Sequence, residues 1–428
     1  MASDGTRMCE LLVGLGDVNV LEVLDHDAGL RVTIETRGPR PVCGGCGGAV
    51  AVKDRVDVEH TDLPCFGRPT VLVWRKTRWR CARQCGAGSF TEQASAIAAP
   101  RLVLTDRAGR WVTTQVGRHG RAVSEVAQDL GCGWHAVMDA VTAYGQELID
   151  HPTRFASVDA LGLDETLRCR LGPWRSQQWS TQIVDVGRGQ LLDVVDGRSA
   201  APACEWLAAQ PQDWLDGIRW ATLDLSGPYR LVFNTMVPDA MQVADPFHLV
   251  KLANQRLDEC RRRVQNETLG HRGRKDDPLY RCRRLLTRAD ERLTDRGRDK
   301  LIGLLAAGDP RGEVRTMWHA KEVVRSIYEH RDPDLAVEFV DRLGRDLQDP
   351  DHPPEANAMG RTLIRWRDQI AAWHRAHVSN GPTEAVNNLV KRVKRVAFGL
   401  TNFANYRIRA LLYAGKPNWD LLPAITPR

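Results

Sequence analysis

Long apolar runs, repeats and low-complexity segments are missing from this chain of 428 residues. No stretch of about eighteen apolar residues occurs, which excludes a membrane-spanning helix and a membrane partner. Residues 1–30 lack a basic start followed by an apolar stretch, so we expect no secretory signal. The absence of a solenoid-length period excludes a repeat architecture. Together these absences predict a folded protein that stays inside the cell.

Disulfide-type cysteine spacing is also missing. Of eleven cysteines, only Cys43 and Cys46, and Cys81 and Cys85, form close pairs, and the others are scattered. Scattered cysteines are typical of a reduced cytosolic protein. Two turn-borne pairs joined by strand-like residues predict a zinc ribbon, because tetrahedral zinc needs four thiolates from two tight turns. With all four positions filled by protein, the ion would be structural.

Two alternatives to this ligand set stay open. The second pair has three intervening residues where two are commoner, so Cys65 is a candidate replacement ligand. Four unligated thiols are the other alternative.

The net charge of +6 is small, but the basic residues are unevenly placed. Residues 251–300 contain sixteen Lys or Arg against nine Asp or Glu, and residues 379–415 contain several cations against the single acid Glu384. Such patches favour a polyanionic partner. Arginine-rich helices that are solvated and ion-paired are the structural alternative.

The pattern of apolar residues predicts the order of elements. Alternation on both sides of residues 26–29 predicts a hairpin over 18–36. We expect one helix over 105–119 and two short helices around the glycine turn at 130–133. This pair resembles a helix-turn-helix, whose second helix, beginning near Trp134, would enter a DNA major groove. Ordinary helical hairpins give the same pattern.

Beyond residue 155 the pattern changes. Strands are expected at 158–164, 181–186, 190–195, 218–224 and 241–245, with helices at 200–209 and near 229–236. This is a mixed α/β order. Residues 249–377 are almost wholly helical in pattern, and a last helix begins after residue 381 with Pro382 in its first turn.

Two of the expected strands end in carboxylates, Asp164 and Asp224. Neighbouring strand ends can gather acids around a metal, although aspartates at strand ends are often only turn formers. The last helix places Glu384 and several cations on one face and apolar residues on the other. Docked on the sheet, it would bring Glu384 to the aspartates and aim cations at a phosphate backbone. An amphipathic surface helix with an incidental first-turn glutamate is the alternative.

The sequence SNGPTEAVNNLVKRVKR at 379–395, with FGL at 398–400, NF at 402–403 and YRIR at 406–409, resembles the C-terminal signature of the ISL3 family of bacterial insertion-sequence transposases. GLDE at 162–165 and DPFHLVK at 245–251 are similar to two further blocks of that family, in the expected order. The resemblance extends from the cysteine pairs to Arg409. Pro246 departs from the arginine frequent in the family, and the spacing between Cys81 and Cys85 is shorter than usual.

The resemblance implies an α/β fold with a ribonuclease-H-like catalytic core, a mainly helical insertion, and a preceding zinc ribbon and helix-turn-helix. It places a DDE triad on Asp164, Asp224 and Glu384, which would hold two Mg²⁺ or Mn²⁺ ions, and places His248 near the scissile phosphate. A buried core histidine is the alternative for His248. No covalent intermediate is required, so Tyr229 is not expected to be a nucleophile, although it is a candidate contact to the DNA backbone.

The implied function is that of a DNA transposase. It would bind terminal inverted repeats, cleave at their ends and join the freed 3′ hydroxyls to target DNA. A non-catalytic, domesticated DNA-binding regulator is the alternative, and an RNA-directed nuclease is a second one. The expected partners are double-stranded DNA and a homodimer or larger assembly, and the expected location is cytoplasmic and nucleoid-associated.

The expected domains and DNA contacts complete this prediction. The domains are a zinc ribbon at 1–97, a helix-turn-helix at 98–152, the first part of the core at 153–250, a helical insertion at 251–376, the last core helix at 377–414 and a tail at 415–428. The candidate DNA contacts are Arg75, Arg78 and Arg80 beside Trp74 and Trp79, Trp134, His135, Arg261, Arg262, Arg263, Lys391, Lys394 and Arg395, with Arg281–Arg284 as further phosphate contacts.

Overall fold

The computed structural model describes residues 13–83, 85–330 and 332–427, so Cys9 and the rest of the first twelve residues lie outside it. Two five-stranded sheets and a large helical region organise the described chain. No helix in these ranges is long and apolar enough to cross a membrane.

The first sheet is built from the N-terminal strands. Its members are β1 (Val18–His26), β2 (Gly29–Thr36), β3 (Val50–Cys65), β4 (Arg68–Cys81) and β5 (Ser89–Thr91). The order is β1-β2-β4-β3, with β5 paired to β4. The predicted hairpin is confirmed, because β1 and β2 pair antiparallel across residues 27 and 28.

Strand β3 was missed from the sequence, and β4 corresponds to the strand-like residues expected between the cysteine pairs. Val50, Val52, Val56 and Val58 stand at alternate positions, as in a strand, but Asp54 interrupts the series and residues 52–57 are all exposed. In β4 the arginines at 75 and 78 face acids on β3 across the antiparallel pair. Cross-strand ion pairing of this kind lets a basic stretch continue as a strand.

Three helices follow. They are α1 (Asp106–Thr113), extended by a π-helical turn at Thr114–Arg118, α2 (Val123–Leu130) and α3 (Trp134–Ile149). Thr105 caps α1 with its side chain, and Gly131 ends α2 in the left-handed conformation at φ 66°. The predicted pair of helices around this glycine turn is confirmed, with the second helix longer than expected.

The second sheet contains β6 (Ala160–Leu171), β7 (Ser176–Asp185), β8 (Gln190–Asp196), β9 (Trp220–Leu223) and β10 (Met241–Ala244). The strand order is β10-β9-β6-β7-β8, in which β9 and β10 run parallel to β6 and β7 alone opposes it. The predicted strands are confirmed, but Asp164 does not end its strand. Strand β6 continues to residue 171 because it pairs with β7 along almost its whole length.

Helices connect and cover these strands. Between β8 and β10 lie α4 (Ala200–Ala208), α5 (Gln212–Asp216) and α6 (Gly227–Met236). The predicted helical region consists of α7 (Pro246–Leu269), α8 (Pro278–Leu286), α9 (Asp295–Gly308), α10 (Glu313–Ser326), α11 (Pro333–Asp346), α12 (Pro354–Arg365) and α13 (Arg367–Ala376). It is followed by α14 (Gly381–Val396) and α15 (Phe403–Ala414).

The departure at Pro246 has a local physical reason. Pro246 occupies the first turn of α7, where a missing N–H and a fixed φ suit the helix. The Asp245 side chain caps the same turn by accepting from the backbone N–H of His248. Helix α7 therefore begins three residues before the predicted start of the helical region at 249.

The second sheet is buried on both faces. Leu161, Leu163 and Leu223 face a core shared with α4, α6 and the helical region. Val184, Leu191 and Val194 face a second core shared with α1 to α3, α14 and α15. Because side chains alternate along a strand, β7 contributes Ile183 to the first core and Val184 to the second, and β8 divides in the same way.

Candidate active site and cysteine cluster

Three carboxylates meet where β6 and β9 separate. The parallel pairing of these strands ends at Gly162 and Thr222. Beyond that point one oxygen each of Asp164, Glu165 and Asp224 lies within 4.8 Å of the others. The carboxyl ends of parallel strands commonly form such a crevice, where ligands bind. The two predicted aspartates are thus brought together, and Glu165 joins them.

Helix α14 docks directly on Asp164. Asn387 Nδ2 donates to Asp164 Oδ2 at 2.6 Å, while Asp164 Oδ1 accepts from the backbone N–H of Glu165 at 2.8 Å. Close approach depends on Gly162, because a Cβ there would lie 2.3 Å from Thr383 Oγ1 in the first turn of α14. Helix α14 is therefore held against the sheet next to Glu384, at Thr383, and one turn beyond it, at Asn387.

Glu384 is linked through a histidine to Asp245, at the start of α7. His248 Nδ1 lies 2.9 Å from Asp245 Oδ2, and His248 Nε2 lies 3.5 Å from Glu384 Oε1. Asp245 Oδ1 also accepts from the backbone N–H of Asn380 at 3.2 Å. Asp245 thus ties the start of α7 to the start of α14. Glu384 itself is not among the three carboxylates grouped within 4.8 Å.

The three grouped carboxylates bring negative charge together at a partly buried edge of the second sheet. Burial raises the pKa of Asp164, and burial together with the charges of Asp164 and Glu165 raises the pKa of Asp224 to about 6. The hydrogen bond to Asp245 raises the pKa of His248. Asp224 Oδ1 is buried without a hydrogen-bond partner among the described residues. An all-oxygen donor set with an unsatisfied carboxylate oxygen suits a hard divalent cation.

Glu165 is the residue that sequence reasoning missed. It follows Asp164 directly within the GLDE block, so the sequence gives its position beside a predicted metal ligand but not the direction of its side chain. On a regular strand, neighbours point to opposite faces. Here, beyond the pairing of β6 with β9, one oxygen of each carboxylate nevertheless lies within 4.8 Å of an Asp224 oxygen.

The four paired cysteines converge in the first sheet. Cys43 Sγ and Cys85 Sγ are 3.5 Å apart, Cys46 Sγ and Cys81 Sγ are 3.6 Å apart, and all four lie within 4.8 Å. Sulfurs 2.3 Å from a tetrahedral zinc would be about 3.8 Å apart, so the cluster fits that ion. Cys65 ends β3, whose other end pairs with Cys81, and is therefore at the opposite end of the strand.

The cysteine turns favour the thiolate form of Cys43 and Cys81, whereas at Cys85 the contacts with the three other thiols outweigh the Ala87 N–H and raise the pKa. Backbone N–H groups of Gly45 and Cys46 lower the pKa of Cys43, and the N–H of Cys85 lowers the pKa of Cys81 to about 6. Gly45 is required for close packing, because a Cβ there would lie 2.8 Å from Ala87 Cβ.

Comparison with known proteins identifies the family. A family model described as transposase, the ISL3-type DDE transposases, matches residues 161–410, which include both aspartates and Glu384. The chain belongs to the ISL3 family of transposases. Family membership makes it an insertion-sequence transposase, an enzyme that cuts and joins DNA.

Curated relatives are transposases as well. The chain is 25% identical over 365 residues to the transposase for insertion sequence element IS1001 of Bordetella parapertussis, covering 84% of this chain and 85% of that protein. It is 28% identical over 284 residues to the transposase for insertion sequence element IS1557 of Mycobacterium tuberculosis, strain CDC 1551 / Oshkosh, covering 62% of this chain and 61% of that protein.

Among solved structures, the Drosophila P element transposase strand transfer complex aligns with 75% of this transposase and 94% of that chain. The TM-score is 0.38 and the identity 9%. A TM-score this low does not establish a shared fold.

The candidate DNA contacts of the first sheet are only partly free. Arg75 pairs with Asp57 at 3.2 Å and Arg78 with Asp54 at 3.3 Å, both on the exposed face. Arg80 is exposed and has no ion pair in the described chain. Trp74 and Trp79, expected beside them at the DNA, are buried in two small cores. The tryptophans are thus structural in this transposase.

At the helix-turn-helix, Trp134 and His135 are exposed at the start of α3, with ring centroids 5.1 Å apart. They are accessible to a DNA groove. Tyr229, in contrast, is 1% exposed, and its hydroxyl lies 3.3 Å from Thr181 Oγ1. The suggested contact between Tyr229 and a DNA backbone is wrong, because α6 buries the ring against the sheet.

The arginines at 261–263 face protein carboxylates. Arg261 is buried and contacts Asp258 and Gln265, and Arg262 pairs with Asp258 at 2.9 Å. Arg263 contacts three glutamates, Glu267, Glu313 and Glu355, which together raise its pKa. In the neighbouring cluster, Arg281 and Arg284 are exposed and have no ion pair within the described ranges.

The cations of α14 divide into two groups. Lys391 and Arg395 are exposed and carry no ion pair in the described part of the chain. Lys394 instead donates from Nζ to the backbone carbonyl of Leu167 at 2.6 Å, and burial lowers its pKa. Lys391 and Arg395 are therefore accessible to phosphate, whereas Lys394 fastens α14 to β6.

Proposed function

We propose that this transposase cleaves DNA at the terminal inverted repeats of its element and joins the freed 3′ hydroxyls to target DNA through a DDE site of Asp164, Asp224 and Glu384. One observation carries the proposal. The separation of β6 and β9 places the two aspartates together, and α14 is bonded to Asp164 one turn beyond Glu384. These contacts, together with the 3.5 Å approach of Glu384 Oε1 to His248 Nε2, support a site in which Glu384 joins the aspartates.

The second sheet supports a ribonuclease-H-like core in this proposal. Its three antiparallel strands are followed by two parallel strands, each reached through helices. We propose the catalytic core at 153–250 and 377–414, separated by a helical insertion at 251–376. The remaining proposed units are the ribbon at 1–97, the helix-turn-helix at 98–152 and a tail at 415–428.

The proposed cofactors are two divalent cations, Mg²⁺ or Mn²⁺, held by the aspartates and Glu384. When bound, they would activate the attacking water or 3′ hydroxyl and stabilise the leaving oxygen. The carboxylate oxygens and the unpartnered Asp224 Oδ1 fit such ions.

The surrounding side chains orient this site. Asp245 holds the His248 ring through Nδ1, which directs Nε2 toward Glu384. Asn387 fixes Asp164, so both acids depend on how α14 is seated. Lys391 and Arg395 lie further along α14 and would contact the phosphate backbone.

Substitution of the acids tests the proposal. We expect Asp164→Asn, Asp224→Asn and Glu384→Gln each to reduce Mg²⁺-dependent cleavage of a terminal-repeat duplex more than about a hundredfold, because each removes a proposed metal ligand. Binding to the same duplex should persist. Asp159→Asn is the matched control, since Asp159 precedes β6 in an exposed pair with Arg219.

Two results would contradict this assignment. Unfolding of the three variants would make the acids structural. Full activity of Glu384→Gln together with loss in Glu165→Gln would move the third carboxylate from α14 to β6, since Glu165 is the one grouped with the aspartates.

We further propose that Cys43, Cys46, Cys81 and Cys85 hold one structural Zn²⁺ and that the ribbon and α3 recognise terminal-repeat DNA within a homodimer or larger complex. The four-sulfur geometry supports the ion. Cys81→Ser should release about one zinc per chain and destabilise the first sheet, measured by metal content and thermal unfolding. Cys65→Ser, at the far end of β3, should retain the metal. Equal zinc in both variants would exclude this ligand set.

A further inference from the structure

A cleft next to the acidic residues extends along α7. Its volume is about 320 Å³, and its lining includes Asp224 and His248. His248, Lys251, Leu252, Gln255 and Arg256 line one wall, and Thr362, Arg365 and Trp366 line the other. The α7 residues recur at helical spacing, so a single face of that helix forms its wall. We call this space the α7–α12 cleft.

The polar groups of the cleft are mostly cationic. Lys251 and Arg365 are exposed, and neither has an ion pair in the described chain. Arg256 pairs with Glu259 at 2.7 Å, but its Nε is buried without a partner among those residues. Asp224 is the sole carboxylate in the lining. Away from the catalytic end, the cleft therefore attracts an anion.

The shape of the cleft favours a nucleic-acid backbone over a base. Trp366 is 5% exposed, and the Arg230 guanidinium lies 5.0 Å from its ring centroid, so no free aromatic face remains for stacking. From His248 to Arg256 the helix rises about 12 Å. One DNA strand rises about 3.4 Å per nucleotide, so this wall matches about three nucleotides.

We propose that the α7–α12 cleft binds the backbone phosphates of the two or three nucleotides adjacent to the scissile phosphate, with Lys251 and Arg365 as the phosphate ligands. The inference rests on the proposed DDE site, because that site fixes where the scissile phosphate lies. By holding the neighbouring phosphates, the cleft keeps the strand in register with Asp224 and His248.

The first test measures phosphate contacts by salt dependence. Affinity for a terminal-repeat duplex is measured against salt concentration for Lys251→Ala, Arg365→Ala and the double variant. Each lost contact should reduce the slope of log K against log salt by about 0.9, and the double variant by about twice that. Cleavage should fall at least about tenfold in the double variant, and Lys251→Arg should restore most of the Lys251 loss.

Matched controls come from the same helical region. Lys300 on α9 and Arg342 on α11 are exposed, have no ion pair in the described residues and do not line the cleft. Lys300→Ala and Arg342→Ala should leave slope and cleavage unchanged. Thermal unfolding of all variants should match the wild type, since the substituted side chains are exposed.

The second test locates the phosphates. Single methylphosphonate linkages are placed at the three positions on each side of the cleavage site, in either strand. A neutral linkage at a phosphate that lies in the cleft should weaken DNA binding by the wild type. It should not further weaken binding by the variant that lacks the cation contacting that phosphate, because a phosphate and a cation that contact each other directly are not additive in their effects. The responsive strand and side identify which DNA strand occupies the cleft.

The two proposals fail separately. The cleft assignment is overturned, while the DDE site stands, if the wild type cleaves DNA and the double variant keeps the wild-type salt slope and cleavage rate. The same conclusion follows if no neutral linkage changes DNA binding by the wild type. If the wild type does not cut with Mg²⁺ but the slopes and linkages respond as expected, the proposed chemistry fails and the cleft remains a phosphate site.

Discussion

Helices α7 and α14 carry similar clusters of cations, yet the protein uses them differently. On α7, Arg261 and Arg263 are engaged by acids of the same helix and of α10 and α12. On α14, Lys391 and Arg395 are exposed and form no ion pair among the described residues. A local surplus of positive charge therefore does not by itself mark a nucleic-acid surface. The acids that folding brings to each cation decide whether it remains available.

The largest effect expected from this comparison is on stability. Arg263→Met should lower the free energy of unfolding by about 2–4 kcal/mol, because Glu313 and Glu355, at 16% and 12% side-chain exposure, would lose their shared partner. Methionine keeps the apolar stem, so packing changes little. The measurement is urea unfolding of the whole chain, monitored by a helical signal.

Arg262→Ala is the control on the same helix. Its exposed pair with Asp258 is expected to contribute less than about 0.5 kcal/mol. Suppose that Arg263→Met lowered the free energy of unfolding no more than Arg262→Ala and also reduced the salt slope of DNA binding. The contacts of Arg263 with the glutamates would then contribute little to stability. The phosphate role predicted from the sequence for residues 261–263 would then be favoured.

This contrast between α7 and α14 separates what the sequence could predict from what it could not. The local periodicities of α2, α3 and the second sheet were sufficient to predict those elements, and the family signature placed Asp164, Asp224 and Glu384 in order. The partners of Arg263 come from α7, α10 and α12, up to 92 residues away, and no local pattern encodes their meeting. The same limit concealed the burial of Tyr229 and the approach of Glu165 to Asp224.

The next expected effect is on DNA affinity. Substituting both Lys391→Ala and Arg395→Ala should weaken binding to any duplex about tenfold at moderate salt and reduce the salt slope by about two, because two phosphate contacts are lost. Thermal stability should hardly change, since both side chains are exposed. Arg262→Ala, with its guanidinium paired to Asp258, is the matched control and should keep the slope. An unchanged slope in the double variant would show that α14 does not contact the backbone.

Within α14, Lys394 offers a sharper comparison with its neighbours. Lys394→Met should cost about 1 kcal/mol of stability, because it removes the hydrogen bond to the Leu167 carbonyl. The salt slope should be nearly unchanged, since Nζ is already engaged. A slope reduced by about one with no loss of stability would instead place Lys394 on the DNA, as first predicted from the sequence.

The smallest effect is expected in the first sheet. There a paired arginine can be made available to DNA by removing its acidic partner. Arg75 is paired to Asp57 with both side chains about half exposed, so the pair adds little stability. If the ribbon contacts DNA, Asp57→Asn should free Arg75 and strengthen binding about two- to threefold, whereas Arg80→Ala should weaken it and reduce the slope by about one. Filter binding across a salt series distinguishes these shifts.

Asp25→Asn, which frees Arg68 at the other end of β4, is the control. Equal gains from both substitutions would mean that removing any acid strengthens binding through net charge, and that Arg75 has no special contact.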